Sequence, residues 1–157
     1  MEYLTSRYGL TREKAELITA YASGNIGKAE RMSGDEEFAE LSESVLTLAK
    51  EIPHYDDAGV FSAANSISED YKDRTDEFLS LLEVWYRDVL LYKETGEAKG
   101  LMLGSMGYQV RQQAMAIGYA GLGSICEAID TAKRRIARNV NIRTVFEQLL
   151  FAIKENT

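Results

Sequence analysis

Apolar residues recur at spacings of three and four along most of this chain, the period of a helix with one buried face, and no segment alternates as a half-buried strand does. The clearest stripe is Phe38, Leu41, Val45, Leu48 and Ile52, which predicts a long helix ended by Pro53. Upstream, residues 1–8 predict a short helix that closes at Gly9. Thr11 is placed to cap a second helix through about Ala22, stopped by Gly24, and Asn25 a third carrying Ile26, Ala29 and Met32. Ser33-Gly34-Asp35 reads as a break and a fresh N-terminus. Tyr55 to Ser66 predicts another short helix with Val60, Phe61 and Ala64 facing in, and Ser68 or Asp73 is placed to cap the next. That next helix carries Phe78, Leu81, Leu82, Trp85, Val89 and Tyr92, and Leu79, Tyr86 and Leu90 widen its apolar face. So broad a face belongs at the centre of a bundle.

Thr95 to Gly100 predicts a loop, followed by helices from near Tyr108 to Ile117, from Tyr119 or Leu122 to Arg138, and from Ile142 to Lys154. The last two are separated only by the turn at Asn139-Val140-Asn141. Asparagine tolerates the left-handed conformation that ends helices and ranks among the best N-caps, so Asn139 closes one helix and Asn141 opens the other. Leu122, Ile125, Ile129, Ala132 and Ile136 stripe the first, and Ile142, Val145, Phe146, Leu149 and Ile153 the second. A connection this short predicts an antiparallel hairpin. The expected architecture is all-α, a helical bundle.

Composition narrows the class. A chain of 157 residues, 45% hydrophobic and 27% charged, suits one globular domain or one domain plus a piece of another. A single cysteine, Cys126, excludes an internal disulfide, and with His54 as the only histidine no Cys/His zinc site can form. Those features fit a reducing, cytoplasmic setting. The most apolar window, Ala114 to Ile125, is interrupted by Gly118, Gly121 and Gly123 and falls well short of the roughly 20 residues a membrane helix needs. A net charge of -7 argues against unaided, strong binding to duplex DNA, whose affinity comes largely from Lys and Arg on phosphates, so no direct sequence-specific nucleic-acid binding is expected.

Candidate chemistry is sparse. Ser23 to Ala29 places Gly27-Lys28 before a helix, yet a phosphate loop requires glycine at Ala22 and Ser or Thr at Ala29. In Trp85-Tyr86-Arg87-Asp88, Arg87 lies opposite the apolar stripe, where Glu83 four residues earlier is placed to pair with it on a solvated face. Asp88 sits at the edge of the stripe, open either to bracing against a neighbouring helix or to a subunit contact, and Trp85 and Tyr86 to a core or an oligomer seam. Lys133, Arg134, Arg135 and Arg138 form the basic cluster of an acidic chain, with Asp130 placed to pair with Arg134. It reads as a solvated, dipole-matched helix end or as a patch for an acidic groove on a partner. Cys126 reads as a core thiol and His54 as a surface turn residue. Neither a nucleophile arrangement nor a useful carboxylate pair emerges, since Glu36-Glu37 and Asp56-Asp57 are adjacent residues whose side chains diverge. No catalytic residue, cofactor or metal site is expected.

Three passages, Ser23-Gly24-Asn25-Ile26-Gly27-Lys28-Ala29, Trp85-Tyr86-Arg87-Asp88-Val89-Leu90-Leu91 and Asn139-Val140-Asn141-Ile142-Arg143, taken in this order, resemble the C-terminal part of bacterial DNA polymerase III delta-prime subunits, components of the sliding-clamp loader. The resemblance implies the end of an AAA+ lid over residues 1–32 and a helical collar domain over 33–157. A lid without its nucleotide-binding core implies in turn that Met1 begins a truncated piece. In the motor subunits of the family an early lid arginine reaches the nucleotide; the matching position here is Gly27, which implies a lid that does not sense ATP. By the same resemblance the collar associates with those of delta and gamma/tau subunits in a five-membered ring that loads the beta sliding clamp within the polymerase III holoenzyme. Clamp and primed DNA would then be reached only indirectly, with no catalysis and no membrane contact by this chain. The residues marked for subunit contact or bracing are Trp85, Tyr86, Arg87, Asp88, Arg134, Arg138, Asn139, Asn141 and Arg143. The other readings are a gamma/tau-type subunit, a free-standing helical adaptor and a DNA-binding helical domain built on the basic cluster.

Overall fold

A computed structural model describes residues 2–157, so Met1 and the expectation attached to it lie outside the described residues. Among the described residues nine α-helices follow one another: α1 (Glu2–Tyr8), α2 (Arg12–Ala22), α3 (Ile26–Ser33), α4 (Glu36–Glu51), α5 (Asp57–Asp70), α6 (Thr75–Thr95), α7 (Gly107–Ala116), α8 (Tyr119–Ala137) and α9 (Ile142–Asn156). Two 3-10 turns, Ile52–His54 and Gly104–Met106, complete the secondary structure, and no strand occurs among the described residues. The fold is an all-α bundle.

Short polar side chains start five of the helices. Thr11, Asn25, Asp35, Asp56 and Asn141 each accept from the backbone N–H three residues on, leaving one fewer orphan donor at the start of α2, α3, α4, α5 and α9. Helix ends use the left-handed region, with Gly9 at φ +62°, Ser23 at +49° and Gly96 at +70°. Asn139 adopts φ +58° and closes α8: its amide donates to Ile136 O at 2.9 Å, while the Val140 amide reaches Arg135 O at 3.0 Å. That pair of bonds is a Schellman closure. Asn141 then caps α9 through Thr144 N at 3.0 Å, and α8 and α9 pack against each other as the short turn requires.

The core is built around α6. Phe78, Leu79, Leu81, Leu82, Trp85, Tyr86 and Val89 are all fully buried, and α6 meets α2, α4, α7 and α8. At about 2 kcal/mol per buried side chain, this face is worth as much as the roughly 5–15 kcal/mol that separates a folded domain from its unfolded chain. Phe78 packs edge-on to the Phe146 ring, with centroids 5.6 Å apart, which fastens α9 to α6. Buried side chains from Leu4 in α1 to Ile153 in α9 form one continuous cluster.

Several local expectations need correction. Neither Ser68 nor Asp73 caps α6; Ser68 lies inside α5, which runs four residues beyond the expected Ser66, to Asp70. The residue preceding α6 is Arg74, which makes no cap and instead uses its guanidinium as a tie. It donates to both carboxylate oxygens of Asp35, at 3.2 and 2.8 Å, and to Glu77, so the starts of α4 and α6 are bound together. Phe61 is 47% exposed because α5 turns Val60, Ala64 and Ile67 inward and leaves Phe61 at the rim, beside Phe151. Ile26 is 71% exposed, being the first residue of a helix that buries only Ala29.

Two measurements follow from these ties. Asn139→Ala keeps the positive φ but loses the tolerance of asparagine for it, so it should cost about 1 kcal/mol, a Tm lower by roughly 2–4 °C, whereas Asn139→Gly should melt with the wild type. The Arg74 guanidinium, helped by the Phe38 amide, holds the Asp35 carboxyl below its usual range. A carboxyl that releases its proton more readily folded than unfolded stabilises the fold above the ordinary value of 3.8, and that contribution disappears as pH falls through the lower folded value. Asp35→Asn retains the cap and loses the charge. Its Tm deficit against wild type should be constant from about pH 7 to about pH 5 and shrink below roughly pH 4; a deficit independent of pH would remove the ion pair from the account.

Candidate interaction surface

The long connection between α6 and α7 is held by two buried carboxylates. Asp88, on α6, is fully buried; its Oδ1 accepts the Met102 amide at 3.1 Å and its Oδ2 the Leu103 amide at 2.7 Å. Arg87 Nη1 donates to the same Oδ1 at 2.9 Å and brings a half-exposed guanidinium to a carboxylate with no solvent contact. From the other side Glu16, on α2 and only 3% exposed, accepts the Ser105 amide at 2.9 Å, the Ser105 hydroxyl and Arg12 Nε at 3.1 Å. A buried carboxylate is tolerated only when its lone pairs are filled, and both are. Asp88 therefore braces a loop where a neighbouring helix was expected. The expected Glu83–Arg87 pair does not form: Glu83 meets Lys133 at 2.6 Å and joins α6 to α8.

A third polar group holds α7 itself. Trp85 Nε1 donates to Gln113 Oε1 at 2.9 Å, and Gln113 Nε2 donates to the Ala49 carbonyl at 2.6 Å, so one buried amide links α6, α7 and α4. Glu16 and Gln113 gave no sequence signal, since each looks like one more polar residue on an amphipathic helix. Beside Trp85, Tyr86 is fully buried with no partner for its hydroxyl among the described residues, and burial pushes its ionisation well above the usual range.

The remaining marked residues lie at or near the α8–α9 turn and are exposed. Arg138, Asn139 and Asn141 form the turn; Arg134 bonds Thr131 Oγ1 at 3.0 Å, where Asp130 was expected, and Arg143 pairs with Glu147 at 2.9 Å. Lys133 and Arg135 turn away to Glu83 and Gln148, so the basic run of the sequence does not form one patch. The marked residues thus separate into a group on α6, where Trp85, Tyr86 and Asp88 are buried and Arg87 is exposed, and an exposed group at the hairpin end. Cys126 is exposed, contrary to the expected core thiol, because its position falls outside the Leu122, Ile125 and Ile129 stripe. Partial burial, followed by the nearby Asp130 and Glu83 carboxylates, raises the pKa of its thiol. His54 is exposed in its 3-10 turn. Lys28 folds back, its ammonium 3.8 Å from the centre of the Tyr21 ring and 3.3 Å from Tyr21 O. No group of His, Cys, Asp or Glu suited to a metal occurs among the described residues, and no helix is long and apolar enough to cross a membrane.

Two of the most exposed large apolar side chains lie together on the outer face of α7. Tyr108 and Met115, seven residues apart and so on one side of the helix, are 69% and 74% exposed; Val110, Gln113 and Ala114 occupy the opposite, buried side. Tyr119, at the start of α8, is 58% exposed and sits under the ammonium of Lys93, which also donates to Ala114 O at 2.9 Å. Elsewhere, an apolar concavity of about 410 Å³ lies between α1, α2 and α3, lined by Leu4, Ala22, Ile26 and Ala29 among others.

Comparison with known proteins gives a distant relative. The chain is 25% identical over 140 residues to DNA polymerase III subunit delta' of Bacillus subtilis (strain 168), an alignment covering 88% of this chain and 42% of the relative. The chain thus spans less than half the length of the relative it matches. No family model and no solved structure matches.

Asp88→Ala strands two backbone N–H donors in the interior, at about 1–3 kcal/mol each. Amide exchange at Met102 and Leu103 should accelerate strongly in this variant and less in Asp88→Asn, which keeps one acceptor oxygen. Unchanged protection at both amides would mean that the carboxylate does not hold the loop.

Proposed function

We propose that this chain is a non-catalytic, structural part of a bacterial clamp-loader subunit of the delta-prime type, acting in the cytoplasm. Residues 1–32 correspond in this reading to the end of an AAA+ lid and residues 33–157 to the collar domain. The collar associates with delta and gamma/tau subunits, and the assembly, not this chain, engages the beta sliding clamp and primed DNA.

The observation that carries the reading is the similarity to a delta' subunit over 88% of the chain. Two features support it. The position that resembles the nucleotide-sensing arginine of motor subunits is Gly27, and the neighbouring Lys28 is engaged with Tyr21, so neither offers a cation to a phosphate. The buried polar network of Asp88, Glu16 and Gln113 is spent on holding helices, as a rigid scaffold requires. Glycine in place of that arginine also weighs against the gamma/tau type.

Co-purification and light scattering with the delta and gamma/tau collar regions of the same organism test the proposal, with duplex DNA as a control at moderate salt. A stoichiometric complex with those subunits and no retention on DNA is expected. A chain that stays alone with every clamp-loader subunit contradicts the proposal, and DNA binding that falls steeply with salt would favour the nucleic-acid reading.

A further inference from the structure

From Ala98 through Cys126 this chain carries no acidic residue, although it has 25 elsewhere and a net charge of -7. Lys99 and Arg111 are the charged residues of that stretch. The outer face of α7 lies within it and is made of Tyr108, Arg111, Gln112 and Met115, with Tyr119 following. Arg111 is exposed and forms no ion pair among the described residues, whereas most other arginines are paired or hydrogen-bonded.

This composition is unusual for a solvated helix face. Solvent-facing helices carry mixed charges, while the buried centres of protein interfaces are enriched in tyrosine, methionine and arginine and depleted in aspartate, glutamate and lysine. The side chains are also held in place before any partner arrives. Gln112 Nε2 donates to the Tyr108 hydroxyl at 2.8 Å, and the Tyr119 hydroxyl donates to Lys93 O at 3.3 Å. Beneath them, Gln113 fixes α7 to Trp85 and Ala49. Aromatic residues ordered in advance lose little freedom on binding, so more of their contact energy appears as affinity.

We infer that the outer face of α7 is a docking surface for a neighbouring clamp-loader subunit that presents carboxylates beside apolar side chains, with Tyr108, Met115 and Tyr119 as apolar anchors and Arg111 as the paired cation. The charge pattern selects that partner: an acid-free, cation-bearing face on an acidic chain complements an acidic surface and gives nothing to a basic one. This inference rests on the clamp-loader reading for the identity of the neighbour.

The test uses the whole chain with cognate delta and gamma/tau collar regions, measured by titration calorimetry. Met115→Glu and Arg111→Glu alter exposed positions and should leave the helical content and Tm at wild-type values. Each should weaken binding to one of the two subunits by about tenfold or more, and wild-type affinity should fall as salt is raised. Ile26→Glu, an equally exposed apolar position on α3, serves as the control and should bind as wild type. Wild-type binding that survives both α7 substitutions overturns the α7 assignment and leaves the clamp-loader reading standing. Wild-type failure to bind either subunit overturns both. Self-association abolished by Met115→Glu, with no binding to delta or gamma/tau, makes the occupant a second copy and overturns the inference as stated.

Discussion

Two carboxylates without solvent, Asp88 and Glu16, fix the segment that the helical periodicity leaves undetermined. Between Gly96 and Gly104 the chain has no regular hydrogen-bonding pattern of its own, so its backbone donors need partners from elsewhere. Asp88 supplies two of them from α6, and just beyond the segment Glu16 of α2, nearly ninety positions away in sequence, accepts the Ser105 amide. With the connection held from both sides, Leu103 and Met106 enter the core and α7 begins at a defined place. Gln113 then sets its rotation by joining Trp85 to the Ala49 carbonyl. What α7 shows to solvent is a consequence of these buried bonds.

Much of the helical framework was legible because its signals are local. Thr11, Asn25, Asp35 and Asn141 cap helices through bonds to the residue three positions on, and the left-handed Asn139 follows from what asparagine tolerates. The stripe on α6 also identified the central helix, since only a helix packed on several sides keeps so many large apolar residues. Reading failed where a side chain chooses between a near and a distant partner. Glu83 had Arg87 one turn away and takes Lys133 on α8; Arg134 had Asp130 and takes Thr131. An exposed i,i+4 pair is worth only a few tenths of a kcal/mol, too little to compete with a partner presented by tertiary packing. Arg74 and Glu16 escaped notice for the same reason, their partners being Asp35 and Ser105. The exposures of Phe61, Ile26 and Cys126 depended on which neighbour each helix meets, which spacing alone does not encode.

The candidate site was legible in part. Trp85, Tyr86 and Asp88 belong to one of the three passages on which the resemblance to delta-prime subunits rests, and each has a distinct environment: an indole bonded to Gln113, a ring closed in the core and a carboxylate latching the loop. They shape a surface from beneath it. The exposed face itself lies in α7, where Tyr108 and Met115 drew no attention because single apolar residues are ordinary on protein surfaces. Their significance comes from sharing a face with Arg111, which forms no ion pair among the described residues, in the stretch from which acidic residues are absent.

That division, with bracing groups inside and contact groups outside, is the central claim, and hydroxyl-radical footprinting reads it directly. In a reconstituted complex with delta and gamma/tau collar regions, oxidation of Met115 and Tyr108 should fall several-fold from the free protein while Ile26 is modified as before. A stoichiometric complex in which Met115 and Tyr108 remain as reactive as in the free chain would contradict the account.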